Sequence, residues 1–127
     1  METFRELGSA TSRGPAEWFT GEVYLQPLLG PAHSPTLRSA KVSFASAART
    51  VWHTHPRGQM IHILSGICAY ARWGEPTQQA VPGDTVWFAP GEKHWHGAAP
   101  GHPMTHLAVQ EADENGEVVT WLEAVTE

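Results

Sequence analysis

The sequence has one cysteine, few basic residues and no long hydrophobic run, and each shortage excludes a class of protein. Cys68 has no second cysteine to pair with, so an internal disulfide is excluded and a reducing cytoplasm is the expected compartment. Eight Lys and Arg against 13 Asp and Glu give a net charge of −5, which argues against nucleic acid or an anionic membrane as a partner. No apolar stretch is long enough for a membrane-spanning helix, and residues 1–14 lack the apolar core of a signal peptide.

Glycine and proline, in contrast, interrupt the chain at short intervals, and little between them has a helical period. The segments between these turn signals are rich in β-branched and aromatic residues. They predict strands over residues 22–25, 40–44, 50–55, 60–64, 68–73, 85–88, 105–110 and 118–121. This pattern is typical of an all-β sandwich or barrel, which we expect to form one domain over residues 1–127. Residues 1–12 are expected to form a loosely ordered arm, and helix is expected only at residues 15–19 and 122–127.

Alternation along two of the predicted strands indicates a small cavity. Successive side chains point to opposite faces of a strand, so His106 shares the inner face of its strand with small and polar residues. Such a face is poor core material but suits the lining of a polar cavity. The predicted substrate pocket consists of Ala40, Val42, Phe44, Ala108 and Gln110.

Histidine is the residue in excess, with eight copies against eight Lys and Arg together. His53, His55 and His62 fall within ten residues, and a second group from His94 to His106 falls within thirteen. Scattered surface imidazoles would have no reason to cluster in this way, whereas a metal site draws its ligands from a few segments.

The spacing of these histidines predicts a metal centre. His53 and His55 lie at i and i+2, which puts both imidazoles on one face of a strand, about 7 Å apart. Gln59 follows the next turn and can return a side-chain oxygen to the same face, and His94 supplies a third nitrogen after the Pro90-Gly91 turn. We therefore predict that His53, His55, Gln59 and His94 bind one divalent ion.

The stretch 47–98 resembles the two sequence motifs of the cupins. The first motif, G-x5-H-x-H-x3,4-E-x6-G, and the second, G-x5-P-x-G-x2-H-x3-N, are matched at His53, His55, Gly66, Gly83, Gly91 and His94. Gln59 occupies the glutamate position, and the departures that do not affect ligands are Ala47, Ala89 and Ala98. The resemblance implies a double-sheet jelly-roll barrel that contains a divalent metal and forms a homo-oligomer.

Glutamine in place of the usual glutamate changes the expected chemistry. Three neutral imidazoles and the neutral amide of Gln59 leave the double positive charge of the ion uncompensated. The metal should then be a stronger Lewis acid for an oxyanion and a weaker redox centre. This favours the polarisation of an alcohol or carbonyl over oxygenase chemistry.

A closer resemblance is to the small manganese-dependent cupin hydroxynitrile lyases. It covers residues 14–21, 50–56, 83–99 and 104–108, with the block 90–100 the most specific part. The resemblance implies that three histidines and a glutamine at these positions hold the metal, which is expected to be manganese, with iron, nickel or zinc as alternatives. It also implies that further histidines in the cavity transfer protons during cleavage of a cyanohydrin.

Two histidines are candidates for the catalytic base. His106 lies on an inner face next to Ala108, which leaves room for a ligand, and His96 shares a face with His94. His96 is equally compatible with a role that only orients the site. Met60, His62 and Leu64 alternate with the cavity side and are expected to face outwards, as the interface of a homodimer or homotetramer would.

Three other function classes remain compatible with these residues. The first is a metal-dependent oxygenase or isomerase that acts on a small carbonyl compound, and oxygen consumption would reveal the former. The second is a cupin that binds a small molecule without turnover. The third is a retro-aldol lyase that uses the same Lewis acid without cyanide.

Overall fold

The computed structural model of the chain describes residues 1–3 and 11–126. It contains the strands β1 (Ser12–Arg13), β2 (Phe19–Thr20), β3 (Val23–Leu29), β4 (Leu37–Phe44), β5 (Arg49–Thr50), β6 (His53–Thr54), β7 (Gln59–Gly66), β8 (Cys68–Arg72), β9 (Gln78–Ala80), β10 (Thr85–Phe88), β11 (His94–Ala98), β12 (Met104–Glu111) and β13 (Thr120–Trp121). Within the described ranges there is no helix, and hence none that could cross a membrane. Residues 4–10 of the predicted N-terminal arm lie outside the described residues, and Ser12 belongs to β1.

Two antiparallel sheets form the all-β fold that the sequence predicted. The larger sheet, so called because its strands contain more residues, has six strands in the order β1-β3-β4-β12-β7-β10, whereas the smaller sheet has seven short strands. The smaller sheet has the order β13-β6-β11-β5-β2, and β8 joins it by pairing with both β11 and β9. The main hydrophobic core lies between the sheets, because it combines Val42 and Ile61 of the larger sheet with Phe19 and Ala98 of the smaller one.

The predicted alternation is present in the strands at the centre of the larger sheet. In β7, Ile61 and Ile63 are buried, whereas Met60 and His62 are half-buried and Leu64 is exposed on the opposite face. The pairing of β7 with β12 shifts register between Thr105 and His106. This β-bulge leaves Leu64 without a Cα partner on β12.

A smaller hydrophobic cluster covers the outer side of the second sheet. It contains Trp52, Ala69, Ala71, Trp95 and Ala99. Trp95 is therefore on the opposite face of β11 from its neighbours His94 and His96, as the alternation predicts.

The structure corrects three details of the sequence prediction. Residues 15–19 form a turn that leads into β2, in which the carbonyl oxygen of Pro15 accepts from the N–H groups of Trp18 and Phe19, and residues 122–126 form neither helix nor strand. Helix was therefore wrong at residues 15–19 and 122–126, and Glu127 lies outside the described residues. The predicted strand 50–55 is interrupted at residues 51–52, and β1, β2, β9 and β11 have no counterpart among the predicted strands.

Gly66 ends β7 at a point where the chain leaves no room for a side chain. Its φ is +79°, and a Cβ there would overlap the carbonyl oxygen of Pro103. Gly101 has a similar φ of +83°, but a Cβ there would meet no atom within 4 Å.

We expect Gly66→Ala to lower the free energy of unfolding by about 3 kcal/mol, and Gly101→Ala by only about 1 kcal/mol. Both variants strain a left-handed residue, at about 1–2 kcal/mol, but only the former also forces an overlap, which adds about 1–3 kcal/mol. Urea unfolding of the two variants measures the difference. Equal losses would mean that the contact with Pro103 relaxes without cost.

Candidate metal centre

Seven polar side chains are buried inside the barrel, and five of them are imidazoles. They are Thr50, His53, His55, Gln59, His94, His96 and His106, each at most 5% exposed. No Asp or Glu side chain is buried in the part of the chain that the structure describes. Burial without a hydrogen-bonding or metal partner is costly for a polar group, so these residues need a common explanation.

Neighbouring strands bring these residues together. His94 of β11 lies directly opposite His53 of β6 in the smaller sheet. In the larger sheet, Gln59 at the start of β7 is opposite Gln110 of β12. The Thr50 hydroxyl accepts the backbone N–H of His96 at 3.2 Å, which ties β11 to β5.

Backbone carbonyls fix the tautomer of three of the imidazoles. The pairs are His53 with Val51 (2.9 Å), His55 with Val118 (2.9 Å) and His94 with Glu92 (2.8 Å), in each case through Nδ1. A carbonyl oxygen can only accept, so each Nδ1 carries the proton and each Nε2 keeps its lone pair. The hydrogen bonds therefore leave three Nε2 atoms as potential metal ligands.

The amide of Gln59 adds an oxygen to this group. Its Oε1 lies 3.4 Å from Nε2 of His94, and Gln59 lines the same cavity as His53 and His55. With Nδ1 of His94 protonated, both atoms of the 3.4 Å contact are acceptors. Two buried acceptors that face each other are unfavourable unless a cation lies between them, and this arrangement fits a metal ion.

The ligand atoms of His53, His94 and His96 all lie within 4.8 Å of one another, so these three buried histidines could hold a metal ion. The sequence had predicted His55 and Gln59 as ligands and had given His96 another role. Nε2 of His55 is buried and has no hydrogen-bond partner, so its lone pair is available to bind an ion. The centre therefore offers four imidazoles and one amide.

His96 also forms a pair with His106. Nε2 of His106 lies 3.1 Å from Nδ1 of His96, and one of the two rings must donate the shared proton. The outer nitrogens of the pair, Nε2 of His96 and Nδ1 of His106, are buried without a hydrogen-bond partner. His96 thus lies between the histidines around Gln59 and His106, and we refer to these two residues as the His96–His106 pair.

All five buried imidazoles are held in the neutral form. Burial lowers the pKa of His94 to about 3 and that of His106 to about 4. It also lowers the pKa of His55 and, together with the neighbouring imidazoles, holds the pKa of His53 and His96 well below the usual value of 6.5. Neutral imidazoles bind metals and accept protons, so the site is prepared for both tasks.

A cavity of about 160 Å³ opens onto all of these imidazoles except that of His94. All five predicted pocket residues line it, namely Ala40, Val42, Phe44, Ala108 and Gln110. The sequence did not predict the rest of its wall, which includes Trp18, Phe19, Leu25, Val118, Val119 and Trp121. Trp18 and Trp121 stack with their ring centroids 5.2 Å apart although 103 residues separate them, and no local pattern predicts such a contact.

Comparisons with known proteins identify the family. The family model of the cupin domain matches residues 40–110. The (R)-mandelonitrile lyase of Granulicella tundricola is 48% identical over 128 residues, which cover 100% of this chain and 96% of that protein. A cupin-like protein of Thermotoga maritima has a similar structure, with a TM-score of 0.84, 33% identity and coverage of 91% of this chain and 87% of the other.

A more distant structural neighbour is the polyketide cyclase RemF of Streptomyces resistomycificus. Its TM-score is 0.78 at 18% identity, with coverage of 98% of this chain and 87% of that chain, so it shows the fold alone. The sequence motifs, the two-sheet barrel with its buried histidines and the family match agree. The chain belongs to the cupin family.

Proposed function

We propose that this cupin is a metal-dependent hydroxynitrile lyase, which cleaves a cyanohydrin to hydrogen cyanide and an aldehyde or ketone and catalyses the reverse addition. The observation that carries the proposal is the combination, in one cavity, of an uncharged metal donor set and an uncharged histidine pair. The identity of 48% to the (R)-mandelonitrile lyase supports the same reaction and favours aromatic cyanohydrins as substrates.

In this proposal His53, His55, Gln59 and His94 hold the ion. The three histidines share the same hydrogen bond from Nδ1 to a backbone carbonyl, and Oε1 of Gln59 lies 3.4 Å from Nε2 of His94. The Nδ1 atom of His96 faces another imidazole instead, so its tautomer is not fixed in the same way. This difference favours a role in proton transfer for His96.

When bound, a divalent ion with neutral ligands supplies a Lewis acid that polarises the substrate oxygen. We propose manganese as the native ion, with iron, nickel or zinc able to occupy the same ligands. Nitrogen ligands favour nickel and zinc over manganese, so the metal found after purification need not be the native one.

The His96–His106 pair can take the hydroxyl proton and return it. Two neutral rings carry two protons, one of which lies between them, so one of the two outer nitrogens always has a free lone pair. As the O–H bond breaks, its electrons form the carbonyl bond, and the electron pair of the carbon–carbon bond leaves with cyanide. The proton held by the pair then passes to cyanide, so that HCN is released and the pair returns to neutrality.

The apolar wall of the cavity suits the organic part of a cyanohydrin. Ala40, Val42 and Ala108 are small, whereas Phe44 and Trp121 provide aromatic surface. This wall also excludes water from the base and the metal ligands, which strengthens the electrostatic interactions there.

The remaining proposals concern the location, partners and oligomeric state of the protein. We propose a cytoplasmic protein that binds small molecules and has no nucleic-acid or membrane partner. Met60 and His62 are half-buried and Leu64 is exposed on the outer face of β7, and this face is the proposed interface of a homodimer or homotetramer.

The first test is metal analysis of unheated, unchelated protein, followed by a mandelonitrile cleavage assay that measures cyanide. In that assay we expect His106→Ala to lose activity by about a hundredfold or more while it keeps its metal, because the loss of a general base commonly has this effect. The matched variant His96→Ala should lose comparable activity if the two rings act as a unit. Full activity in His106→Ala would exclude the pair as the base, and the absence of cyanide from any cyanohydrin would exclude the lyase.

We expect Gln59→Glu to keep the metal and to lower the cleavage rate. A carboxylate ligand decreases the effective charge of the ion and repels the developing oxyanion, so the substrate oxygen is polarised less. Metal content and cyanide release are measured on the same preparation. Unchanged turnover at full metal occupancy would mean that ligand charge does not tune this reaction.

The metal-free protein should lose stability as the pH falls from about 6.5 to about 4. The unfolded chain has imidazoles with a pKa of about 6.5, whereas burial holds the pKa of His106 at about 4, so the unfolded state binds more protons in this window. Denaturant unfolding after chelation, repeated at several pH values, measures the slope. A stability that is constant or increases as the pH falls would contradict the burial of neutral imidazoles.

A further inference from the structure

The side chain of Gln59 must be oriented, because its two ends are chemically different. An amide offers a lone pair at Oε1 and two N–H donors at Nε2, and only the oxygen can bind a cation. Gln59 is 5% exposed, so either end would be costly to leave without a partner. In the structure Oε1 faces the imidazole of His94, and Nε2 points the other way.

Gln110 contacts the nitrogen end of the Gln59 amide. Its Oε1 accepts a hydrogen bond from Nε2 of Gln59 at 3.0 Å. This bond satisfies a buried donor only when Gln59 turns its oxygen towards the imidazoles. We propose that Gln110 is a positioning residue that selects the metal-binding orientation of the Gln59 amide, an inference that rests on the metal site proposed above.

The β-bulge at Leu64 of β7 makes this contact possible. Gln110 and Gln59 are Cα partners across β12 and β7 because the register shifts by one residue between Thr105 and His106. Without this shift, Gln110 would be opposite Met60, whose side chain points to the other face of the sheet. The hydrogen bond between the two amides is therefore built into the sheet.

The test compares metal affinity in two backgrounds. We expect Gln110→Met, which keeps the length of the side chain but removes the acceptor, to weaken Mn²⁺ binding about tenfold, as the loss of a residue that orients a ligand commonly does. In a Gln59→Glu background the same substitution should change affinity by less than about twofold, because both ends of a carboxylate are oxygen and need no orientation. Titration with Mn²⁺ alone measures affinity, and the electron paramagnetic resonance spectrum of the bound ion should change only in the Gln59 background.

Gln79→Met is the matched control, since it makes the same chemical change on the exposed strand β9 and should leave Mn²⁺ affinity unchanged. Unchanged affinity in Gln110→Met, or an equal loss in both backgrounds, would overturn the role of Gln110 and leave the metal site intact. A wild-type protein that binds no divalent ion would instead overturn the metal site, and this inference with it.

Discussion

Lone pairs that face one another inside a closed barrel are the constraint on which the rest of this structure depends. The 3.4 Å approach of His94 Nε2 and Gln59 Oε1 is tolerable only if something positive lies between the two acceptors. The pairing of β6 with β11, and the approach of β7 from the other sheet, therefore build a binding site rather than a close-packed core. A core built for stability alone would fill these positions with aliphatic side chains.

The lack of a buried carboxylate among the described residues gives the centre its chemical character. A divalent ion on neutral ligands keeps most of its charge for the substrate, which suits the polarisation of oxygen and not the stabilisation of a higher oxidation state. In the proposed reaction the His96–His106 pair complements this charge, because both rings are neutral and one outer nitrogen keeps a free lone pair. The proposed ligands and base thus suit a reaction that moves a proton and a carbon–carbon bond but no electrons to or from the metal.

Residue patterns predicted the features that depend on local alternation. His53 and His55 both face the cavity, as do Ala40, Val42 and Phe44. These orientations follow from the alternation of side chains along an extended chain. Contacts between segments that are far apart in the sequence leave no local residue pattern, so they were not predicted. β11 has the sequence HWHGA, without β-branched residues, so it was not recognised as a strand, and the proximity of His96 to His53 follows from its pairing. Residues 15–19 form a turn instead of the expected helix, and Trp18 of this turn stacks on Trp121 near the other end of the chain.

The protons on the three Nδ1 atoms are held by the main chain, through the carbonyls of Val51, Glu92 and Val118. No replacement of those side chains can delete such an acceptor, whereas an orienting Asp or Glu could be lost by a single codon change. Substitutions at these three positions therefore leave the imidazole tautomers unchanged, as long as the backbone keeps its conformation. Divergence within this scaffold is then confined to the side chains that contact the ion or the substrate, so that one metal centre can be adapted to new substrates without being rebuilt.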